Sequence, residues 1–315
     1  MTIAADDLLS LLSAIPLAAL GGAIFVRGVV GVAQWLRLPE MLVATTLAAF
    51  ATSSPEMAVS SLAAVGGKPG IGLGDALGSN VVNLGLILGL ALMFGPLAAR
   101  VDHFRRDFML ALVVPILTLC LALDGVLSRL DGVLLLALFA LWLALVARQA
   151  MAHRRDGPPP ADDAPVHATR PWLFVLGGMA ALILAGQLFV AGASGIALEL
   201  GVRPYVIGAT LVAVGTSMPE LVTVLLSRLR GHDDVGLGTV LGSNLFNGLA
   251  IVGTAATIHP IRTPLGELGA AVAFGVITLL LVVSRTGTVP RQRSVFLLAA
   301  YGGFVWLTAT EALQR

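Results

Sequence analysis

Residues 44–89 of this chain return, without a gap, as residues 208–253, at a constant offset of 164. Each copy carries Thr-Ser-x-Pro-Glu (Thr52, Ser53, Pro55, Glu56; Thr216, Ser217, Pro219, Glu220). Each also carries Gly-Ser-Asn-x-x-Asn (Gly78, Ser79, Asn80, Asn83; Gly242, Ser243, Asn244, Asn247). Both motifs interrupt apolar sequence. A carboxylate, a proline and a cluster of hydroxyls and amides are costly in lipid unless they face one another, a cavity or an ion. A chain holding two such sets is therefore constrained to bring them together.

Composition settles the surroundings. Hydrophobic residues make up 57% of the chain and charged residues 12%, with a mean hydropathy of +0.94. A soluble domain carries about 25% charged residues. Apolar runs long enough to cross a bilayer recur along the whole length, which predicts a polytopic all-α membrane protein. The alternating pattern of a lipid-embedded β-barrel is absent. Cys120 is the only cysteine, so neither an intrachain disulfide nor a Cys-based metal site is available. No basic patch suited to nucleic acid appears. The start, Met1-Thr2-Ile3 with Asp6 and Asp7, lacks a basic leader, so the first apolar run is expected to be a retained span.

Ten spans are expected, near 8–34, 40–66, 71–98, 108–124, 132–150, 172–198, 204–228, 235–258, 266–284 and 293–312. The longest polar break, 151–170, contains His153, Arg154, Arg155, Asp156, Pro158 to Pro160, Asp162 and Asp163. It separates a five-span half, 1–150, from a second, 171–315, and is too short to hold a folded regulatory domain. Of the 19 Lys and Arg, all but Lys68, Arg129, Arg203, Arg262 and Arg315 fall beside the loops after spans 1, 3, 5, 7 and 9. The positive-inside rule then makes the 151–170 linker cytoplasmic and puts both termini outside. Each half has an odd number of spans, so the second enters the membrane from the opposite side. The copies are inverted repeats, an architecture of alternating-access transporters.

Glu56 and Glu220 are the acidic residues that fall deep in a span; Asp75 and Glu199 come closest among the others. A carboxylate at the bilayer centre costs roughly 2.5–3.5 kcal/mol on insertion scales and needs a partner. All five histidines (His103, His153, His167, His232, His259) fall in loops or at span edges, and no Lys or Arg sits deep either. The missing partner is then a bound cation or a proton. Thr52 and Ser53 lie four and three residues before Glu56 on the same helix face, and Thr216 and Ser217 repeat this before Glu220. Ser79 and Asn83 share a face, as do Ser243 and Asn247. These hard oxygen donors suit calcium, magnesium or sodium. Pro55 and Pro219 remove an N–H and crowd the carbonyls at Ala51 and Gly215, so the helices should break, freeing carbonyls around 48–51 and 212–215. Asn80 and Asn244 suit hydrogen bonding between helices; Thr46 and Thr210, about three turns before the glutamates, read as structural.

These motifs resemble the paired α-repeats of the calcium/cation antiporter superfamily, in particular its prokaryotic sodium/calcium exchanger type. The family pattern, Gly-Thr-Ser-x-Pro-Glu with Gly-Ser-Asn-x-x-(Asn/Asp), reads here as Ala51 to Glu56 with Gly78 to Asn83, and as Gly215 to Glu220 with Gly242 to Asn247. The resemblance implies ten helices in two inverted five-helix repeats, broken at a midplane site, and antiport of calcium against sodium with no cofactor. It implies that calcium takes carboxylate oxygens from Glu56 and Glu220 and carbonyl oxygens at Thr52 and Thr216. Sodium would use the same glutamates with Ser53, Ser79, Ser217 and Ser243 and the backbone oxygens of Ala49 and Ala213, and Asn83 and Asn247 would complete the ring. Shared ligands make the two ions compete, which couples their transport. Two departures stand out: Ala51 replaces the usual Gly, and Asn247 stands where some exchangers have Asp. The ring then holds at most two negative charges, enough for one calcium.

Alternative functions were weighed. The same two glutamates could carry protons in a proton-driven calcium antiporter, although a proton needs no hydroxyl shell. A cation channel could share some of these features, but inverted repeats with broken helices at a midplane site argue for a carrier. A membrane hydrolase would need Ser/His or His/Glu zinc spacing within the spans, and neither occurs. Calcium, sodium and the bilayer are the expected partners, in a bacterial-type inner membrane, with no obligatory protein partner evident.

Overall fold

The computed structural model describes residues 5–99, 101–156, 169–199, 213–263, 265–282 and 287–314. Thr210, the first residues of span 7, the opening of the second repeat (208–212) and the centre of the linker (157–168) lie outside the described residues. So do Arg100, His167, Arg203, Arg285 and Arg315.

In hydrocarbon every backbone N–H and C=O needs a partner within its own segment, so the apolar runs become helices. Span 1 is Ala5–Leu36, span 3 Pro69–Met93, span 5 Arg129–Asp156, span 6 Thr169–Glu199 and span 8 Asp233–Ile258. Spans 4, 9 and 10 are Val101–Leu121, Leu265–Val282 and Arg293–Gln314. Spans 2 and 7 are broken. Span 2 runs Glu40–Thr52, stops at Ser53, and resumes as Ser54–Val65. Span 7 is described from Ala213 to Thr216, stops at Ser217, and resumes as Met218–Leu229. The apolar runs place these described elements to within about seven residues at their ends, the largest difference being the start of span 4, at Val101 where 108 is expected.

The offset of 164 governs the architecture as it governs the sequence. Adding it to Ser54–Val65 gives Met218–Leu229, and adding it to Pro69–Val81 gives Asp233–Leu245. The turns between them match as well. Gly67 (φ 73°) and Gly231 (φ 79°) both adopt the left-handed conformation, and the next residue, Lys68 or His232, bonds back to the carbonyl of Ala63 or Ser227 at 2.8 Å. A residue with a Cβ resists that conformation, which accounts for glycine in both copies.

Two short antiparallel ladders fix how the halves meet. β1 (Leu97–Ala98), after span 3, pairs with β4 (Thr288–Val289), before span 10. β2 (Val126–Leu127), before span 5, pairs with β3 (Ile261–Arg262), after span 8. Paired loops share a membrane face. The loops after spans 3 and 9 therefore lie on one side and those after spans 4 and 8 on the other, as ten alternating spans demand.

Spans 3 and 8 occupy the centre, and the described window of span 8 is wholly buried. Small residues let helices approach there. A Cβ at Gly242 would overlap the Thr45 carbonyl and the Ala49 side chain of span 2, and one at Gly238 would meet Ala44. Spans 1 and 6 lie side by side at the periphery, joined through Gly21, Gly28 and Gly178 over a seam containing Phe25, Val29 and Leu182. Their outer faces carry exposed Leu12, Ile15, Leu173 and Leu176, which suits lipid.

Candidate ion-binding site

The two breaks place the glutamates. Ser53 (φ −87°, ψ 7°) and Ser217 (φ −84°, ψ 13°) leave helical geometry, and each following helix starts with proline in its first two positions. Proline there loses no hydrogen bond the helix would have made, and its fixed φ suits a helix start. Glu56 and Glu220 fall in the first turn of these new helices. Unsatisfied N–H groups at a helix start favour negative charge, so the break itself stabilises the carboxylates.

The breaks release fewer carbonyls than the sequence suggests. The Ala49 carbonyl accepts the Ser53 N–H at 2.9 Å and the Thr52 hydroxyl at 3.3 Å. The Phe50 carbonyl accepts the Ser54 hydroxyl at 2.6 Å. Ala51 is the residue whose carbonyl Pro55 cannot serve. In span 2, local serine and threonine hydroxyls thus occupy the carbonyls beside the one that proline opens. Thr46 bonds back to the Leu42 carbonyl, as expected of a structural residue.

Spans 3 and 8 add a second irregularity. Val82–Ile87 and Phe246–Ile251 are π-helical, again at an offset of 164. The wider turn rotates the chain relative to an α-helix and recurs at functional sites. Asn83 and Asn247 sit at the second position of each π turn. The Asn83 amide donates to Asn244 Oδ1 at 3.1 Å, and the Asn247 amide donates to Asn80 Oδ1 at 3.0 Å. Asn80 also reaches the Asn244 carbonyl at 3.4 Å. These cross-bonds lock spans 3 and 8 together and fix which end of each amide faces away from the lock.

Thr52, Ser53, Glu56, Ser79, Asn83, Ser217, Glu220, Ser243 and Asn247 are all buried. Thr216 is half-buried, and Ala213 opens its short helix. Glu220 Oε1 accepts the hydroxyls of Ser53 at 3.1 Å and Ser243 at 3.2 Å. The Thr52 and Ser243 hydroxyls lie 3.3 Å apart, and Ser217 and Ser79 3.5 Å apart. The structure thus brings the sequence-predicted side chains of both halves into one cluster. Four buried oxygens, Glu56 Oε2, Glu220 Oε2, Asn83 Oδ1 and Asn247 Oδ1, have no hydrogen-bond partner among the described residues. All four are acceptors, and two come from each half. A buried acceptor left bare costs on the order of 1–3 kcal/mol, more when charged. All four are hard oxygen acceptors of the kind that calcium and sodium take, so the donor set fits either ion as cargo. Among the described residues no group of three His, Cys, Asp or Glu offers an alternative metal centre.

The π turns escaped the sequence reading. Val-Asn-Leu-Gly-Leu-Ile and Phe-Asn-Gly-Leu-Ala-Ile share little beyond the asparagine and the final isoleucine. The unpartnered hydroxyls of Ser60 and Thr223 also went unnoticed; their signal was their place one turn beyond each glutamate.

A fold of two inverted halves around a shared oxygen cluster defines a membrane cation exchanger. The chain belongs to the sodium/calcium exchanger protein family, whose pattern matches twice, over residues 7–148 and 170–310. It is a transporter of the cation/calcium exchanger kind and not an enzyme. The putative antiporter CaxA of Alkalimonas amylolytica is 34% identical over 304 residues, covering 90% of this chain and 92% of its own. The inner membrane protein YrbG of Escherichia coli is 33% identical over 230 residues, 71% of each chain. Among solved structures, the sodium-calcium exchanger NCX_Mj, soaked with zero Na+ and Ca2+, superposes with a TM-score of 0.81 at 27% identity, covering 94% of this chain and 96% of that one.

Proposed function

We propose that this chain exchanges calcium for sodium by alternating access at the cluster around Glu56 and Glu220. The four bare acceptor oxygens, two from each half, carry this reading. Calcium takes the two carboxylates, whose combined charge balances it, with the Asn83 and Asn247 oxygens and backbone oxygen at Thr52 and Thr216. Sodium takes the same glutamates with Ser53, Ser79, Ser217 and Ser243, and with backbone oxygen at Ala213. Ala49 belongs to this set only in another conformation, since its carbonyl already holds two donors here. One cluster cannot satisfy both ions at once, and that exclusion is the coupling. The hydroxyls around Glu220 favour sodium over a proton, which needs no such shell. The basic loops further support an inner-membrane protein with its linker in the cytoplasm and both termini outside.

The test is calcium-45 uptake into proteoliposomes loaded with sodium, with potassium, or holding a pH gradient. Uptake that requires internal sodium is the expected result. Uptake driven by the pH gradient alone would replace sodium with protons at the same glutamates.

A further inference from the structure

The first half carries a carboxylate within Pro69–Val81 where the matching helix of the second half has a hydroxyl. One turn beyond Glu56 on the same helix face, Ser60 is fully buried and its hydroxyl has no hydrogen-bond partner among the described residues. Ser60 lies against span 3 at Gly72, where a Cβ would overlap the hydroxyl. Three residues further along span 3, and one turn before Ser79, stands Asp75. Its side chain is half-buried, and Oδ2 is shielded and without a partner among the described residues. At 1.5 Å per helical residue, Asp75 is about 9 Å in from Pro69, whereas Glu56 is about 14 Å in from Val65. Asp75 therefore sits about a turn nearer the 66–68 turn than Glu56 does.

The second half carries hydroxyls but no charge in the matching region. Val224 replaces Ser60, and Thr239 replaces Asp75. A Cβ at Gly236 would overlap the Ser227 hydroxyl, which donates to the Val224 carbonyl at 2.9 Å; the Thr239 hydroxyl donates to the Val235 carbonyl, 2.8 Å away, and Thr223, one turn beyond Glu220, keeps a buried hydroxyl without a partner among the described residues. In a chain whose halves repeat this closely, a charge retained on one side only is a departure that packing does not require. An ionisable side chain within a span and without a counter-charge points to a function there.

Resting on the exchange reading above, we propose that Asp75, with the Ser60 hydroxyl about one turn away at Gly72, is an accessory cation site through which calcium reaches Glu56 from the face bearing the 66–68 turn. The carboxylate lowers the cost of bringing a divalent ion out of water and raises its local concentration. The opposite approach, past Thr223 and Thr239, has hydroxyls but no carboxylate, so the two faces load calcium differently.

The experiment uses full-length Asp75→Asn and Asp75→Glu in right-side-out and inside-out membrane vesicles, with calcium-45 offered to each face in turn. Asp75→Asn should raise the calcium KM on the 66–68 face about tenfold and leave the other face near wild type. Asp75→Glu should keep most of the wild-type KM. An unchanged KM on both faces, or an equal rise on both, overturns the proposal; the equal rise would mark Asp75 as a packing residue. Should Asp75→Asn fail to fold, Ser60→Val, which copies the second half, gives the same reading. It should raise KM on the same face about threefold, the loss of one weak ligand, and no change overturns the proposal. Wild type and Glu56→Gln run alongside. Calcium uptake that ignores sodium, or survives Glu56→Gln, defeats the exchange reading itself, whereas the facial KM ratio for Asp75 is judged against wild type whichever ion drives transport.

Discussion

Glu56 and Glu220 occupy the same place in two copies of one motif, and their surroundings differ. Glu220 holds the hydroxyls of Ser53 and Ser243 on one oxygen. The residues that should do the same for Glu56 are Ser217 and Ser79, and these face each other instead at 3.5 Å. Identical local sequence therefore does not produce identical local bonding. With inverted repeats, one half can sit in the arrangement that the other adopts when the molecule opens to the opposite side. A single chain thus holds both members of a two-state pair at once, one satisfied and one open.

The comparison can be broken most severely at the carboxylates. Glu56→Gln and Glu220→Gln should each reduce calcium uptake more than about 100-fold, since even outer-shell partners of a metal site commonly cost 10–100-fold. Both proteins should stay monodisperse on gel filtration. Substantial transport by either variant would remove that glutamate from the site.

A smaller effect sharpens the asymmetry. Ser53→Ala or Ser243→Ala removes a donor from Glu220 and should disfavour the present conformation. Ser79→Ala or Ser217→Ala should act on the reverse conformation. The ratio of calcium KM on the two membrane faces should move by about tenfold, in opposite directions for the two pairs. Movement in one direction for all four would make the observed bonding a fixed feature and not one state of a cycle.

Asn247→Asp asks whether the amide position belongs to the coordination shell. It adds a third carboxylate on one side only and should shift calcium-over-sodium preference several-fold, about 1 kcal/mol, with a new pH dependence. Unchanged competition between calcium-45 and sodium at every pH tested would place Asn247 outside the shell.

The smallest expected effect is symmetric and serves as a control. Gly67→Ala and Gly231→Ala force a Cβ into the left-handed conformation and should each cost about 1 kcal/mol of stability. Thermal unfolding in detergent should show equal losses. Unequal losses would mean that the halves differ in stability as well as in bonding.

Much of this was legible in the sequence for physical reasons. Lipid forces apolar runs into helices, so the ten spans followed from hydropathy. The repeat identified the cluster, because lone serines or asparagines in a span carry little meaning and matched sets carry a great deal. The π turns were not legible, since a single wider turn leaves no compositional trace. Nor was the extra bonding at the span 2 break, because Ser54 is the unspecified position of its motif until its hydroxyl is seen on the Phe50 carbonyl. The bonding asymmetry lay beyond sequence in principle: Ser53 and Ser217 are the same residue in the same motif, and only the conformation separates them.

The two β-ladders bear on how such a protein is made. Each joins a loop of the first half to a loop of the second, so Leu97 waits for Val289 and Val126 for Arg262. Chains emerge from the ribosome N-terminus first, and the first half reaches the bilayer with its strand edges unpaired and Glu56 facing no Glu220. The ladders close only when nearly the whole chain has been inserted. A truncated product therefore lacks both the braces and the complete ring of oxygens.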